Sequence, residues 1–530
     1  MRRLGKITCW QTVALLLFAA RLSAPAALAA AQPEAPLVLI GIDGGDWRVI
    51  DPLVAQGQLP NISRLLTSGA RGVLLAPEGH ETSPPSWTSI STGKRVDKHG
   101  VVTVVPRAEV RATPFWEAAA REGKRVFCLN WICNYGAKLP PGNVLISGPY
   151  MVSYSPPEAE EQVRRLAGEY RNDVYPRGLS GQFLHDALDA EQKRADIAAD
   201  YAKHRFDLLA VAFTSSDRLS HFFWTYHEPP ASGVPADLAA QFGDAINGMY
   251  RAIDSHIGRI LSAYAEPVNV ILFSDHGFQS RPVERFGYNL LRPNAILAEA
   301  GLTTLSYDGA AVKEASVCWE DLAGFRKTRR MAVVMNPEHA AEMNRVQAAL
   351  ASVHIGADPN PVFDEFQTDG LRLSFHVRDG EFTFHAPARF TDGTQTIERA
   401  GAWFVSSFEV RSGIHRREGI VLLSGPAIRA GVNIGVCDVY DIAPTACYLL
   451  DMPAAEDMDG RLLGNALRSE LLAARPPRAV ATFDVPGGQT PSQTDAGQQP
   501  RQQGLIMQAK PQPSFDDEVE QRLRSLGYIE

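Results

Sequence analysis

The sequence predicts an α/β protein with a mostly parallel central sheet that is covered by helices on both faces. The first observation is a set of short, largely apolar runs, among them Leu37–Ile42, Leu208–Phe213 and Val268–Phe273. Strands of a parallel sheet are buried on both faces, so they read as continuous apolar runs rather than as alternating ones. The second observation is that segments with helical periodicity separate these runs, and this alternation is typical of such folds.

Each element follows from one of these two signals, an apolar run for a strand or apolar residues at helical spacing for a helix. Proline is tolerated in the first helical turn, so Pro60 and the pair Pro84-Pro85 mark helix starts. The predicted strands are Leu37–Ile42, Arg125–Leu129, Leu208–Phe213, Val268–Phe273 and Ile420–Leu423. The predicted helices are Leu59–Ser68, Trp87–Ser91 as the continuation of a helix that begins after Pro84-Pro85, Ala239–Ala263 and Val439–Leu450.

The composition is that of an ordinary globular protein, since the 530 residues are 45% hydrophobic and 21% charged. This length is sufficient for one large catalytic unit or for several domains. The formal net charge is −8 at pH 7. A mildly acidic chain without a long basic run is a poor nucleic-acid binder, so we expect no nucleic-acid partner.

Residues 1–31 have the pattern of a secretory signal peptide. Basic residues at positions 2, 3 and 6 precede the apolar stretch 13–20, and the small residues 26–31 offer a cleavage site. The alternative is an uncleaved membrane anchor, but the apolar core is short and is interrupted by Arg21 and Pro25. We therefore predict a secreted or periplasmic protein with no stable membrane span after cleavage.

The cysteines leave two interpretations open. Five of them follow residue 31, so at least one is unpaired in the mature chain. Cys128 and Cys133 are one possible disulfide, and Cys437 and Cys447 are another. Five buried thiols are an equally good interpretation.

The catalytic unit is predicted to span residues 36–470. Within it, residues 290–400 contain short mixed segments with few clean buried strands, and we interpret them as an inserted cap region. Residues 475–515 are rich in Pro, Gln, Gly and Ser, which is typical of a flexible linker. Residues 516–530 have apolar residues at helical spacing and predict a short C-terminal helix, with a frayed end as the alternative.

Three acidic residues, Asp43, Asp217 and Asp275, come just after predicted strands. One such residue alone is usually a turn former or a helix cap. The carboxyl ends of parallel strands meet at one edge of a sheet, so we expect the three acids to converge there. Two of them have a histidine nearby: His221 lies one helical turn after Asp217, and His276 directly follows Asp275.

One more histidine, His415, and one hydroxyl group, that of Ser83, complete the set. Ser83 precedes two prolines and is also a candidate helix N-cap, a role that is compatible with an anionic phosphate at the helix N-terminus. Carboxylates and imidazoles suit divalent metal ions, zinc above all. Two such ions beside a hydroxyl nucleophile predict an in-line displacement at phosphorus.

These motifs resemble those of the alkaline phosphatase superfamily, and within it those of the type I phosphodiesterase/nucleotide pyrophosphatase branch. The matching pieces are Ile42-Asp43-Gly44, Ser83 to Gly93, His99-Gly100, Asp217-x-x-x-His221, Ser274 to Phe278, and His415. The resemblance covers residues 36–289 and 401–465 and implies an alkaline-phosphatase-like fold with two divalent metal ions, most naturally Zn²⁺. It implies that Asp217, His221 and His415 hold one ion and that Asp43, Asp275 and His276 hold the other.

The resemblance also selects the nucleophile. In this family the catalytic Thr or Ser lies ten residues before the glycine of a Thr-Gly pair, which is Gly93 here, so Ser83 is favoured over Thr82 and would contact the metals. Nucleotide pyrophosphatases carry an asparagine, which holds a phosphoryl oxygen, where this chain has Ser86. Pro84 removes a backbone N–H as well. The contacts to the phosphoryl group must therefore differ from those of that branch.

We predict a secreted, metal-dependent hydrolase of small phosphoric esters, and of diesters in particular. A sulfatase would require an arginine where Trp87 stands. A phosphomonoesterase would need an added cation, for which the candidates are Arg218, Lys94 and Arg416. A glycolytic phosphoglycerate mutase disagrees with a secretory signal, and a metal-binding pseudoenzyme disagrees with a complete set of ligands and nucleophile.

Overall fold

The computed structural model describes residues 35–174, 181–227, 236–280, 285–305, 311–321, 330–383, 386–405 and 412–484. The predicted signal peptide, most of the predicted linker and the predicted C-terminal helix lie outside these residues. All elements described below belong to one unit, which begins at Pro36.

The strands of the described residues, in chain order, are β1 (Leu37–Ile42), β2 (Gly69–Leu75), β3 (Val126–Trp131), β4 (Val144–Ser147), β5 (Tyr154–Ser155), β6 (Leu208–Phe213), β7 (Asn269–Phe273), β8 (Gly277–Ser280), β9 (Arg285–Gly287), β10 (Cys318–Asp321), β11 (Arg330–Met335), β12 (His354–Ile355), β13 (Phe363–Asp369), β14 (Arg372–Val377), β15 (Glu381–Thr383), β16 (Pro387–Thr391), β17 (Thr396–Ala400), β18 (Gly413–Arg416), β19 (Glu418–Ser424), β20 (Val432–Asp438), β21 (Ala454–Ala455) and β22 (Ala479–Val480). The α-helices are α1 (Trp47–Ala55), α2 (Pro60–Ser68), α3 (Ser83–Thr92), α4 (Val96–His99), α5 (Phe115–Arg121), α6 (Ala159–Ala167), α7 (Gly181–Ala202), α8 (Ser215–His227), α9 (Ala236–Phe242), α10 (Ala245–Ser262), α11 (Pro293–Glu299), α12 (Met343–Ala351), α13 (Ile442–Leu449) and α14 (Ser469–Ala474).

A nine-stranded sheet forms the centre, with the strand order β20-β2-β19-β7-β1-β6-β3-β4-β5. The five adjacent strands β7, β1, β6, β3 and β4 run parallel to one another. Strand β19 is antiparallel to both β7 and β2, and the edge strand β5 is antiparallel to β4. The prediction of a mostly parallel α/β sheet is confirmed.

The apolar runs are continuous because the sheet has a hydrophobic core on each face. Every residue of β1, β6 and β7 is buried. Along β1, Val38 and Ile40 belong to one core cluster, while Leu37 and Leu39 belong to the other. Successive side chains of a strand point to opposite faces, so a strand between two cores needs apolar residues at every position.

The sequence predicted one continuous helix, Ala239–Ala263, and this prediction is wrong. The structure has two helices there, α9 and α10. The N–H of Gly243 donates to the carbonyl of Ala239 and closes α9, and the N–H of Gly248 donates to the carbonyl of Asp244 at the start of α10. The apolar stripe continued across this break, so periodicity alone did not reveal it. The glycine between the two helices is the signal that marks it.

The region predicted as an insertion, residues 290–400, forms sheets of its own. Strands β10, β11, β14 and β13 make one sheet, and β12, β16 and β17 make another. The chain leaves the central part through β8 and returns through β18, and these two strands pair with each other in antiparallel fashion. Because of this pairing, His415 lies opposite Phe278 and close to His276.

The first ten residues of the predicted flexible linker, 475–484, are folded, so the predicted start of the linker is wrong. Strand β22 pairs with β21, and Phe483 is buried in the core cluster on that side of the sheet. Asp484 forms an ion pair with Lys94, whose side chain is buried. Residues 475–484 are therefore part of the folded unit.

Cys128, Cys133, Cys318, Cys437 and Cys447 are all buried and free. The interpretation as buried thiols is therefore the one that the structure supports. In the part of the chain that the structure describes, no helix combines the length and the apolar character that crossing a membrane requires.

Candidate metal centre

The three predicted acids lie side by side because the strands before them are neighbours in the sheet. Asp43 directly follows β1, Asp275 lies two residues after β7, and Asp217 lies in the first turn of α8, which follows β6. The order β7-β1-β6 brings their carboxyl ends together. All three aspartates are 0% exposed.

Helix α8 is held at its N-terminus by a buried carboxylate from α7. Glu191 Oε1 accepts the N–H groups of Thr214 (3.0 Å) and Ser215 (2.6 Å). The other oxygen of Glu191 pairs with Arg194, and neither side chain is exposed to solvent. These bonds satisfy donors that a helix N-terminus leaves free, and they fix the start of the helix that carries Asp217 and His221.

Ser83 is the first residue of α3, and a tryptophan one turn further along docks this helix on the sheet. The Trp87 ring is fully buried against Trp131 and Phe273, with centroid distances of 4.8 and 5.5 Å. A Cβ atom on Gly41 of β1 would lie 2.1 Å from the Trp87 ring, so the ring needs a glycine beneath it. Position 87 therefore faces the core and not the cluster of acids.

Two histidines and one aspartate form a first group. His415 Nε2 lies 3.1 Å from Asp217 Oδ1 and 3.0 Å from His221 Nε2. His221 Nε2 lies 3.4 Å from the same aspartate oxygen. These three ligand-type atoms lie within 4.8 Å of one another, which is close enough for them to coordinate one metal ion together.

A second group surrounds His276 and includes the serine. His276 Nε2 lies 3.5 Å from Asp43 Oδ1, 3.3 Å from Asp275 Oδ2 and 3.9 Å from Asp217 Oδ1. Ser83 Oγ lies 3.3 Å from Asp43 Oδ1 and 3.4 Å from His276 Nε2. The structure thus brings all seven predicted site residues together.

The grouping differs in one respect from the one that the family resemblance implied. The ligand-type atoms that lie within 4.8 Å of one another around His276 come from Asp43 and Asp217, so Asp217 belongs to both groups. Asp275 is not part of that group, although its Oδ2 lies near His276 Nε2; its Oδ1 accepts the N–H of Gly44 at 3.1 Å. Asp217 is therefore placed between the two groups.

The three histidines all donate their Nδ1–H groups to backbone carbonyls. The acceptors are Gly413 for His221 (2.9 Å), Glu81 for His415 (2.9 Å) and Gly277 for His276 (3.2 Å). A carbonyl oxygen only accepts hydrogen bonds, so Nδ1 carries the proton and Nε2 keeps its lone pair. Such an arrangement fixes the tautomer and the ring orientation of a metal ligand.

The pKa values of the site residues indicate that a bound cation would stabilise the buried carboxylates. Burial, together with the charges of Asp275 and Asp217, raises the pKa of Asp43 well above its usual value. Burial raises the pKa of Asp275 to about 7 and lowers the pKa of His276 to about 4. Neutral imidazoles beside crowded carboxylates are the protonation states that divalent metal ions need from their ligands.

Arg218, on helix α8, places a positive charge beside Asp217. Its guanidinium pairs with Asp217 Oδ2, and its Nε lies 3.3 Å from Asp173 Oδ1. This pairing leaves Oδ1 of Asp217 for the histidines. Burial alone would raise the pKa of Asp217, but the positive charges beside it, that of Arg218 among them, hold it well below its usual value.

We expect the substitution Arg218→Met to lower the free energy of unfolding of the metal-free protein by about 3–5 kcal/mol. Methionine fills much of the space but leaves two buried carboxylates, those of Asp217 and Asp173, without their cation, and breaking a buried pair costs this much. Urea unfolding after chelation measures the change, since no bound ion then replaces the lost charge.

The matched control is Arg165→Met, which breaks an exposed ion pair with Glu161 on α6. Exposed pairs of this kind contribute about 0.5 kcal/mol or less. A loss of less than about 1 kcal/mol in the Arg218 variant would contradict the structural role of this arginine.

The sequence did not reveal the partners that orient the ligands. The acceptors of the histidine protons are backbone carbonyls, and a carbonyl leaves no signal in a residue pattern. Glu191 and Asp173 were missed because neither lies near a motif in the chain. Helix α7, which carries Glu191, was not predicted either.

A family model described as type I phosphodiesterase / nucleotide pyrophosphatase matches residues 37–419. The chain belongs to this family. The match includes all seven site residues, from Asp43 to His415. Membership supports a hydrolase of the nucleotide pyrophosphatase/phosphodiesterase type, and the family is metal-dependent.

Solved structures of two relatives resemble this phosphodiesterase family member. Human ectonucleotide pyrophosphatase/phosphodiesterase 5 shows 14% identity and a TM-score of 0.39 over 82% of this chain and 100% of its own. An inactive variant of the murine protein in complex with AMP has the same values, and a further murine structure covers 79% of this chain and 95% of its own with a TM-score of 0.38. No curated protein sequence matches the chain.

Proposed function

We propose that this protein is a secreted or periplasmic, zinc-dependent phosphodiesterase in which Ser83 is the nucleophile. The observation that supports this most directly is the convergence of three Nε2 lone pairs and three buried carboxylates beside the Ser83 hydroxyl. The proposal of secretion rests on the signal-peptide pattern of residues 1–31.

The donor set fits two divalent ions. Two imidazole nitrogens that face each other at 3.0 Å, both with lone pairs, repel unless a cation lies between them. The oxygens Asp43 Oδ2 and Asp275 Oδ2 are buried and have no hydrogen-bond partner among the described residues, and a buried acceptor of this kind is costly. We propose Asp217, His221 and His415 as the ligands of one ion, and Asp43, Asp275 and His276 as those of the other.

Two bound ions would supply positive charge that favours the ionised Ser83 hydroxyl and stabilises charge on the phosphoryl and leaving oxygens. Ser83 Oγ then attacks phosphorus in line with one ester oxygen, whose P–O bond breaks, and the intermediate is a phosphoseryl ester that keeps the second alcohol group. The proton that Ser83 gives up balances the one that the departing alkoxide takes up to leave as an alcohol. Water hydrolyses the intermediate in the second step and releases Ser83. Burial of Ser83 at the start of α3 holds its oxygen in one place throughout.

The start of α3 offers few backbone donors to the substrate. Pro84 and Pro85 have no N–H, and the N–H of Ser86 already donates to the carbonyl of Thr82. Among these first helical residues, only Ser83 itself can present a backbone N–H to an anion. We therefore expect the metal ions, more than the N-terminus of α3, to stabilise the negative charge of the phosphoryl group.

We base the preference for diesters on the ion pairs that the candidate cations form. A monoester dianion needs one more positive group than a diester does. Lys94 is paired with Asp457 and Asp484 beyond the far end of α3, and Arg416 is paired with Glu418. Arg218 is paired with Asp217 and Asp173. Each cation that the sequence offered for a second phosphate charge is thus engaged by carboxylates.

We expect the purified mature protein to hydrolyse bis-p-nitrophenyl phosphate with a higher kcat/KM than p-nitrophenyl phosphate, and p-nitrophenyl sulfate least of all. Neutralisation of Arg218, Lys94 and Arg416 by their partners disfavours the dianion, and Trp87 replaces the arginine that a sulfatase needs. Initial rates with the three substrates at one zinc concentration measure the order. A monoester preference would contradict the diester assignment, and a sulfate preference would contradict the phosphoesterase as a whole.

A further inference from the structure

A serine on the segment before β18 is inserted against the main chain of α8. Ser412 N donates to the carbonyl of His221 at 2.6 Å, and its hydroxyl donates to the carbonyl of Phe222 at 3.1 Å. The same hydroxyl accepts the N–H of Thr225 at 3.2 Å. One residue thus bonds through both its N–H and its hydroxyl to the helical turn that begins at His221, and it is 7% exposed.

The next residue continues this contact to the ligand side chain. The carbonyl of Gly413 accepts the Nδ1–H of His221. A Cβ atom on Gly413 would lie 2.2 Å from the carbonyl oxygen of Ser220, so the segment lies directly on the helix. The segment therefore contacts both the backbone and the imidazole of His221.

The same segment continues into β18, which contains His415. Residues 413 and 415 of β18 lie on one face of the strand, since successive side chains alternate. Strand β18 has only four residues and pairs only with β8 in the described part of the sheet, so its own ladder holds it weakly. The bonds of Ser412 add to the bond between His221 and the Gly413 carbonyl in linking β18 to α8.

We propose that Ser412 is a positioning residue that fixes His221 and His415 relative to each other, so that their Nε2 atoms converge on one metal ion. The inference rests on the proposed metal-dependent function and adds a residue that touches neither the ion nor the substrate. It acts through the backbone of His221 and through the two residues that join it to His415.

The test is the substitution Ser412→Ala in the full mature chain, with zinc binding measured by competition with a fluorescent chelator. We expect two zinc equivalents, of which one binds about 10- to 100-fold more weakly than in the wild type, as for other residues that orient ligands. In a His415→Ala background, Ser412→Ala should cause no further change in the zinc that remains, because that ion is held by the other proposed ligands, Asp43, Asp275 and His276, and Ser412 bonds to none of them.

The matched control is Ser147→Ala on β4, which is separated from β1 by β3 and β6. Ser147 is 1% exposed, its hydroxyl donates to the carbonyl of Met151 at 2.9 Å and accepts the N–H of Ser153 at 2.7 Å. This variant loses a comparable pair of buried bonds and should show a similar fall in Tm, but it should bind both zinc ions as the wild type does.

Wild-type affinity for both ions in a folded Ser412→Ala protein would overturn the inference, and so would an equal loss in the Ser147 control. If Ser412→Ala does not fold, the nearly isosteric Ser412→Cys, whose thiol is a weaker donor and acceptor, is measured instead. An unchanged zinc affinity of that variant overturns the inference as well. A wild-type protein that binds no metal would contradict the proposed function itself, which keeps the two failures distinct.

Discussion

Replacing Ser83 with alanine is expected to reduce phosphodiester hydrolysis by about 10⁴-fold or more, as the loss of a covalent nucleophile does in other hydrolases. Ser83 Oγ is the hydroxyl that lies beside both Asp43 and His276. The six proposed ligands remain in the variant, so we expect it to keep two metal equivalents. Rates with bis-p-nitrophenyl phosphate and metal analysis of the same sample measure both outcomes.

Thr82→Ala is the control for this substitution. Thr82 occupies the N-cap position of α3, but its side chain makes no capping hydrogen bond, so its loss should leave the helix and the rate nearly unchanged. If the Thr82 variant were inactive and the Ser83 variant active, the assignment of the nucleophile would be wrong.

Removal of the metal ions is expected to abolish activity and to lower the stability of the folded protein. Without cations, Asp43, Asp217 and Asp275 lie buried together, and burial and neighbouring carboxylates raise the pKa values of Asp43 and Asp275. A ligand present at a thousand times its Kd stabilises a folded protein by about 4 kcal/mol. Thermal unfolding before and after dialysis against a chelator should therefore show a clear fall in Tm.

Zinc added back to the metal-free protein should restore both the Tm and the activity, and Ser83→Ala should regain the Tm alone. This difference separates the contribution of the metal to stability from its contribution to catalysis. Full activity in a sample that metal analysis shows to be free of divalent ions would rule out the proposed mechanism.

The sequence was most informative where chemistry and burial both constrain the residue. Leu37–Ile42 and Leu208–Phe213 were predicted with the bounds that the structure has, because a strand between two hydrophobic cores has little freedom of composition. The convergence of the three aspartates that follow strands could be predicted as well, because strand direction in a parallel sheet fixes which strand ends meet.

The sequence was least informative where the neighbour of a residue is decided by long-range pairing. Strand β19 is inserted antiparallel between β7 and β2, and nothing in its composition distinguishes it from a parallel strand. His415 could be assigned from the family resemblance, but its place beside His276 depends on the pairing of β18 with β8 across the whole insertion. Ser412 has no motif, since its role lies in bonds to a helix backbone.

The ion pairs of Lys94 define how much of the chain helix α3 requires. Lys94 follows the end of α3, and its buried amino group bonds to Asp457 Oδ2 at 2.7 Å and to Asp484 Oδ2 at 2.6 Å. Asp484 Oδ1 accepts the N–H of Thr113 at 2.7 Å, so this aspartate anchors two separate segments. A recombinant fragment cut after α14 would leave the lysine with one carboxylate fewer. The shortest useful expression boundary is therefore Asp484, and not the end of α14.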